Sequence, residues 1–121
     1  MPHPTDEEVP VQFLMLVCTD PQGEPAAPGD LTIEEWGADV DRRGVWLAGD
    51  RLRPGADSRT VRRRGGATLV TEGPFAEAAE VIGGFDVLEC ATLEEALEVA
   101  AAHPMARAGR IDVRPVWPLG L

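Results

Sequence analysis

Three side chains of this sequence could carry acid–base chemistry, namely Glu72, Asp86 and His103. His103 is one of two histidines, and the ordinary pKa of histidine suits a general acid or base at neutral pH. Asp86 interrupts an apolar segment, so burial would raise its pKa and mark a site. Glu72 begins a Glu-Gly-Pro-Phe sequence, in which a rigid loop could present the carboxylate at a pocket rim. These residues form the candidate catalytic set.

Each member of this set also has a purely structural interpretation. His103 lies at the end of a predicted helix, where the helix dipole favours it and free carbonyls accept hydrogen bonds. Asp86 would form an ion pair with Arg114 or another arginine. Glu72 would belong to a turn in which Phe75 anchors the loop by burial. Arg114 and Phe75 are accordingly the candidate binding residues.

Several kinds of catalysis are excluded by residue types that the sequence lacks. All 11 basic residues are arginine, and there is no lysine, asparagine or tyrosine. That absence rules out a Schiff-base lysine, a Walker lysine and a tyrosine general acid. Cys18 and Cys90 lack metal-ligand spacing, and Gly83-Gly84 lacks the spacing of a nucleotide-binding loop. We therefore expect neither a metal ion nor a cofactor.

The net charge of −10 limits the partners of the chain. Nucleic-acid binding normally needs a basic face, so we expect no direct contact with nucleic acid. The longest apolar run, Phe13–Cys18, is too short to span a membrane, and no secretory signal is visible. Two cysteines in apolar, strand-like runs fit reduced thiols. We expect a soluble, cytoplasmic protein without a membrane partner.

Helix caps and turns indicate where the elements that position these residues begin and end. Thr32-Ile-Glu-Glu35 and Thr92-Leu-Glu-Glu95 each fit a capping box, so a helix should begin after each threonine. Gly44 ends the first helix, and His103-Pro104 ends the second. Gly65-Gly66 predicts a tight hairpin between strands at 60–64 and 67–71.

Four further segments rich in β-formers predict the remaining strands, which are Val11–Cys18, Val45–Asp50, Phe85–Cys90 and Ile111–Val116. One helical turn is expected at Ala76–Glu80. At 121 residues the chain should form one domain over 11–118, preceded by a disordered tail at 1–10.

The order β–α–β–hairpin–β–α–β predicts an α+β, ferredoxin-like βαββαβ fold with an inserted hairpin. Both helices would cover one face of the sheet. Val11–Cys18 is apolar at odd and even positions, which indicates cover on both faces. A second copy of the chain is the simplest cover for the other face, so we expect a homodimer with two-fold symmetry.

The same fold gives an expectation for the two thiols. With strand order 4-1-3-2, Val11–Cys18 and Phe85–Cys90 should be neighbouring, parallel central strands. Cys18 and Cys90 each close their strand, so both should lie at the same end of the sheet. We expect both to be free, buried and unreactive.

Three motifs of the sequence resemble the DGPF-domain branch of the YCII-related family. They are Thr71–Glu77 (TEGPFAE), Glu80–Phe85 (EVIGGF) and Ile111–Val116 (IDVRPV). The resemblance runs from about Val11 to Val116 and implies a subunit that forms a dimeric α/β barrel. YCII-related proteins have been proposed as enzymes that use a His–Asp pair. DGPF members often accompany extracytoplasmic-function sigma factors, which implies a regulatory role.

The chain departs from the family pattern at the positions that would carry chemistry. The aspartate that names the DGPF motif is Glu72 here. The histidine of YCII-type proteins in the first helix has no counterpart between Leu31 and Arg43, and His103-Pro104 stands where those proteins have Asp-Pro.

Two classes of function follow. In the first, the dimer is a regulatory or protein-interaction module, with a sigma factor as the possible partner. In the second, it is a small-molecule enzyme in which His103, Asp86 and Glu72 act in a cavity of the barrel. The lack of a metal set, a lysine, a nucleophile and an intact dyad favours the first.

Overall fold

The structure is a computed structural model that describes residues 11–73 and 82–120. The predicted tail at 1–10, Phe75 and the predicted turn at Ala76–Glu80 lie outside the described residues. None of the helices within the described ranges is long and apolar enough to cross a membrane.

The described chain holds six strands and three α-helices. The strands are β1 (Val11–Cys18), β2 (Trp46–Arg51), β3 (Arg59–Arg64), β4 (Ala67–Glu72), β5 (Ile82–Cys90) and β6 (Arg110–Pro115). The helices are α1 (Ile33–Arg43), α2 (Leu93–Ala101) and α3 (Pro104–Ala108), and a single 3₁₀ turn covers Gly55–Asp57. The order of strands and long helices is the predicted one, whereas α3 is an element that the sequence did not predict.

Local side-chain chemistry sets the helix ends. The Thr32 hydroxyl accepts a hydrogen bond from Glu35 N–H, and the Glu35 carboxylate accepts one from Thr32 N–H, which completes the predicted capping box. Gly44 ends α1 in the left-handed region at φ 69°. Thr92 caps α2 in the same way as Thr32, but the Glu95 carboxylate accepts from Ala91 N–H rather than from Thr92.

Four strands form one antiparallel sheet in the order β2-β5-β1-β6. If β1, β2, β5 and β6 are numbered 1 to 4, this order, read from the β6 edge, is the expected 4-1-3-2. The α+β arrangement is compatible with the ferredoxin-like fold. The predicted parallel pairing of β1 with β5 is wrong, because the two strands are antiparallel and Val11 pairs with Cys90. The connection from β1 to β2 passes through α1 and makes β2 parallel to β1. Strand β5 lies between these two strands and runs in the opposite direction.

Strands β3 and β4 form a separate two-stranded sheet, as the inserted hairpin requires. Gly65 and Gly66 make its turn with φ values of 57° and 78°, a conformation that glycine adopts without steric cost. Val61 and Val70 are opposite each other on this hairpin, and both are exposed.

The core lies between the helices and one face of the four-stranded sheet. Phe13, Met15 and Val17 of β1 point to this face and are buried. Trp36 and Val40 of α1 join the same cluster. Since neighbouring strand residues point to opposite faces, the even positions of β1 lie on the other face, which no helix of the described chain covers.

Cys18 and Cys90 are both free and buried, as expected, but they lie at opposite ends of the sheet. Cys90 pairs with Val11 at the start of β1, and Cys18 closes that strand. An eight-residue strand spans roughly 24 Å, so the antiparallel direction of β5 keeps the sulfur atoms far beyond disulfide distance.

We expect neither thiol to react in the native protein. Burial raises the pKa of Cys18, and burial together with Glu95 raises the pKa of Cys90 to about 11. Because the thiolate is the reactive form, Ellman's reagent at about pH 8 should label fewer than one thiol per chain. Unfolding in guanidinium chloride should expose both thiols, so that both react with the reagent. Fast labelling of both thiols in the folded protein would contradict their burial.

Candidate functional site

A cavity of about 570 Å³ opens between α1 and the end of the sheet where β1 finishes. This volume lies within the usual range of small-molecule sites. Its walls come from α1, from the ends of β1, β2 and β5, and from the start of α3. Its lining includes the side chains of Trp36, Val40, Trp46, Asp86, His103 and Met105.

Asp86 lies on the helix-side face of the sheet, beside the core. It pairs across the strands with Met15, which is fully buried, and follows the same alternation as Leu88. Trp46 Nε1–H donates a hydrogen bond of 2.9 Å to Asp86 Oδ1. Burial raises the pKa of Asp86, and the hydrogen bond from Trp46 lowers it by less. The carboxyl group is therefore held where its charged form is disfavoured.

Gly49 makes room for this carboxyl group. It is paired with Asp86 across β2 and β5, and an added Cβ would collide with Asp86 Oδ1 and with the carbonyl oxygen of Phe85. A register shift between Trp46 and Ala48 lets Trp46 and Gly49 both lie on the helix-side face. The bulge in β2 thus places both the hydrogen-bond donor and the space that Asp86 needs.

His103 is the second titratable residue of the cavity, and it is 7% exposed. Its ring packs edge-on against the Trp36 indole, with 4.6 Å between centroids. Met105 N–H donates a hydrogen bond of 2.9 Å to His103 Nδ1. Burial lowers the pKa of His103, so the ring is neutral near pH 7 and carries its proton on Nε2.

The predicted position of His103 is confirmed, but its predicted structural role is wrong. It lies two residues beyond Ala101, the end of α2. Instead of bonding the free carbonyls of α2 as a cation, it caps the N-terminus of α3, with Pro104 as the first helical residue. The predicted role required a positively charged ring at the C-terminus of α2, where the helix dipole favours cations. The ring of His103 is instead neutral and accepts a hydrogen bond at the N-terminus of α3.

The structure does not bring the other candidates to this cavity. Glu72 ends β4 on the separate hairpin and is exposed. Arg114 pairs with Leu14 while Asp86 pairs with Met15, so the two side chains lie on opposite faces of the sheet. The alternative in which Arg114 neutralises Asp86 is therefore wrong. Phe75 lies outside the described residues.

The site also contains residues that sequence reasoning missed. Trp46 and Gly49 were assigned to the strand Val45–Asp50 without a role in a site. The signal that could have singled out Gly49 is its place inside a strand, where an isolated glycine is typical of a bulge or a close contact. Their roles depend on the bulge in β2, which a pattern of residue types does not reveal. Within 11–73 and 82–120, no three side chains of the metal-ligating types are grouped as a metal site would need.

We expect the Asp86→Asn variant to be more stable than the wild-type protein at pH 7. The pKa of Asp86 is raised in the folded state, so its contribution to stability is complete below its unfolded pKa of 3.8 and is lost as pH rises through the folded pKa. Asparagine can still accept from Trp46 without carrying a charge. The gain should stay below about 1 kcal/mol at pH 7, because water screens the half-exposed carboxylate, and it should shrink toward pH 4, measured by urea unfolding.

Asp112→Asn is the matched control, because Asp112 is exposed on β6 beside Arg110. Loss of the Asp112 charge, and with it the exposed ion pair with Arg110, should change the free energy of unfolding by less than about 0.5 kcal/mol. If Asp86→Asn were destabilising at pH 7, the charged carboxylate would be stabilised in the folded state, and the single hydrogen bond from Trp46 would not be its only partner.

Comparison with known proteins places these features in a family. The sequence profile of the YCII-related domain matches residues 11–120. An uncharacterized protein of Rhizobium meliloti (strain 1021) is 41% identical over 70 residues, which are 54% of this chain and 55% of that protein. The match thus spans about half the length of this curated relative. Because the profile covers almost all of the described residues, the chain belongs to the YCII-related family.

Proposed function

We propose that this protein binds a small organic molecule in the helix-side cavity, where Asp86 and His103 handle its polar groups. The observation that carries the proposal is that one cavity of ligand size holds both of these residues. They come from different elements and are 17 positions apart in the sequence. Their combination with apolar walls is typical of binding and active sites.

Asp86 is the proton acceptor of the proposed site. Burial raises its pKa, which makes its carboxylate a stronger base than an exposed aspartate. Trp46 occupies Oδ1, and Asp86 Oδ2 has no hydrogen-bond donor among the residues that the structure describes. That oxygen is the one available to a ligand.

His103 is a hydrogen-bond donor in the proposed site rather than a general base. The lone pair of Nδ1 already accepts from Met105 N–H, and a neutral ring then carries hydrogen on Nε2. A neutral, buried imidazole can polarise a carbonyl oxygen in this way. The two residues therefore supply opposite functions, one accepting a proton and the other donating a hydrogen bond.

A thermal-shift screen of a metabolite library tests the proposal, since a ligand that binds the folded state raises the melting temperature. We expect hits whose shift is lost in Asp86→Asn and at least halved in His103→Asn. Asparagine is a good N-cap residue, so this variant keeps the cap of α3 while it removes the imidazole. Asp112→Asn should keep the wild-type shifts.

Two outcomes would contradict the proposal. One is a library without a single hit, and the other is a set of hits that survive unchanged in both cavity variants.

We also propose that the chain is a homodimer and that its sheets close a dimeric α/β barrel, as the family resemblance implies. Leu14, Leu16, Phe85 and Val87 lie on the sheet face opposite the helices and are only partly buried in one chain. A second copy would remove this apolar area from water. An interface on the order of 1,200 Å² in total would suffice for a stable pair.

Light scattering at micromolar concentration tests the dimer. We expect twice the monomer mass for the wild-type protein and the monomer mass for Val87→Arg, because an unpaired guanidinium cannot be buried in an apolar interface. Leu119→Arg, which adds the same charge at an exposed position, should stay dimeric. A monomeric wild-type protein would overturn the proposal.

A second proposed role, as a protein-interaction module, is favoured by the hairpin. Val61 and Val70 are 63% and 60% exposed, and an isolated two-stranded hairpin gains stability when it packs on another surface. The Glu-Gly-Pro-Phe sequence that follows supports the DGPF branch, and with it a sigma factor as the protein partner. The contact would be protein to protein, because the charge of −10 disfavours nucleic acid.

We also propose a cytoplasmic location, because two cysteines are too few for the disulfide framework of a small secreted domain.

A further inference from the structure

We propose that the ligand of the helix-side cavity is an organic cation, such as a protonated amine or a quaternary ammonium, attached to an apolar body. The inference rests on the proposed function, since it names the charge class of the molecule that would occupy the same cavity. Three observations support this inference. The carboxylate of Asp86 has no cationic partner among the described residues, two tryptophan side chains line the cavity, and His103 carries no positive charge.

The first observation concerns the charge of Asp86. None of the ion pairs within the described ranges involves Asp86. Arg51 lines the same cavity but is exposed, and the groups that shift the pKa of Asp86 are its burial and Trp46 alone. A half-buried carboxylate without a cation is costly. A positively charged ligand would supply the missing partner.

The second observation concerns the walls. Trp46 donates its indole N–H to the Asp86 carboxyl group. Trp36 of α1 also lines the cavity, and its own N–H donates to the carbonyl oxygen of Val99, which fixes the orientation of the ring. Indole faces attract cations, and ammonium groups are often bound between aromatic rings and a carboxylate. Val40 and Met105 extend the wall with apolar surface for the body of the ligand.

The third observation explains why an anion fits poorly. Burial lowers the pKa of His103, so the ring offers no positive charge near pH 7. The described residues that line the cavity include Asp41 and Asp50 besides Asp86, against the single Arg51. The chain as a whole carries −10, which raises the local concentration of cations and lowers that of anions.

Three probes of nearly equal size test the charge class: phenethylammonium, 2-phenylethanol and phenylacetate. Each carries one phenyl ring on a short chain, and they differ in a positive, neutral or negative end. Their dissociation constants can be measured by NMR, from the shifts of the Trp36 and Trp46 indole N–H resonances. We expect phenethylammonium to bind at least about tenfold more tightly than 2-phenylethanol, and phenylacetate to bind most weakly.

Variants then locate the charge that causes the preference. Asp86→Asn should bring phenethylammonium and 2-phenylethanol within about threefold of each other, because only the ion pair is lost. Asp112→Asn removes the same charge from β6, none of whose described residues lines the cavity. Its contact with the cavity is a weak 4.0 Å hydrogen bond from the Cys18 thiol, which asparagine can also accept, so this variant should keep the tenfold preference.

The outcomes separate this inference from the proposed function. If 2-phenylethanol or phenylacetate binds as tightly as phenethylammonium, the cation inference is wrong while small-molecule binding stands. If the preference survives in Asp86→Asn, the inference is also wrong. If none of the probes shifts the indole resonances at millimolar concentration, the cation inference is wrong, while the metabolite screen alone decides whether the cavity binds a small molecule.

Discussion

The carboxyl group of Asp86 constrains this end of the molecule more than any other side chain. It lies on the face of the sheet that carries the core, next to Met15, where a polar side chain must find a partner. The chain meets this requirement with a bulge in β2 that brings Trp46 to one oxygen and leaves Gly49 without a side chain in its way. The cavity exists because apolar side chains do not fill this corner between α1 and the strand ends.

His103 reaches the same cavity by an unrelated route. The chain leaves α2 at Ala101 and starts α3 at Pro104, and the imidazole caps the new helix while it packs against Trp36. Its hydrogen bonding fixes the tautomer, and its burial keeps it neutral. A carboxyl group without a cation in the described part of the chain and a neutral hydrogen-bond donor thus line one cavity. The cap of α3 accounts for Nδ1 of His103, whereas nothing in the packing of the described residues requires a carboxyl group at Asp86, which is why we propose a ligand.

The sequence predicted the elements better than it predicted their contacts. Thr32, Gly44 and the Gly65-Gly66 turn act within a few residues of themselves, so local chemistry was enough to place them. The predicted direction of β5 relative to β1 was wrong. The connection through α1 makes β2 parallel to β1, and β5 lies between these two strands and runs antiparallel to both. The partners of Asp86 could not be predicted at all, since they depend on the register and bulge of β2. His103 was correctly placed but misassigned as a C-terminal cap, because Pro104 was interpreted only as a helix stop and not as the start of α3.

We propose that Asp86 is held as an uncompensated carboxyl group and that a cationic ligand pairs with it. A ¹³C NMR titration of its side-chain carboxyl in the native protein measures this directly. We expect a midpoint above 3.8, its ordinary value, and a decrease of that midpoint when phenethylammonium is present. A midpoint at or below 3.8 in the free protein would show that the folded structure already satisfies the charge, and that Asp86 does not lack a partner.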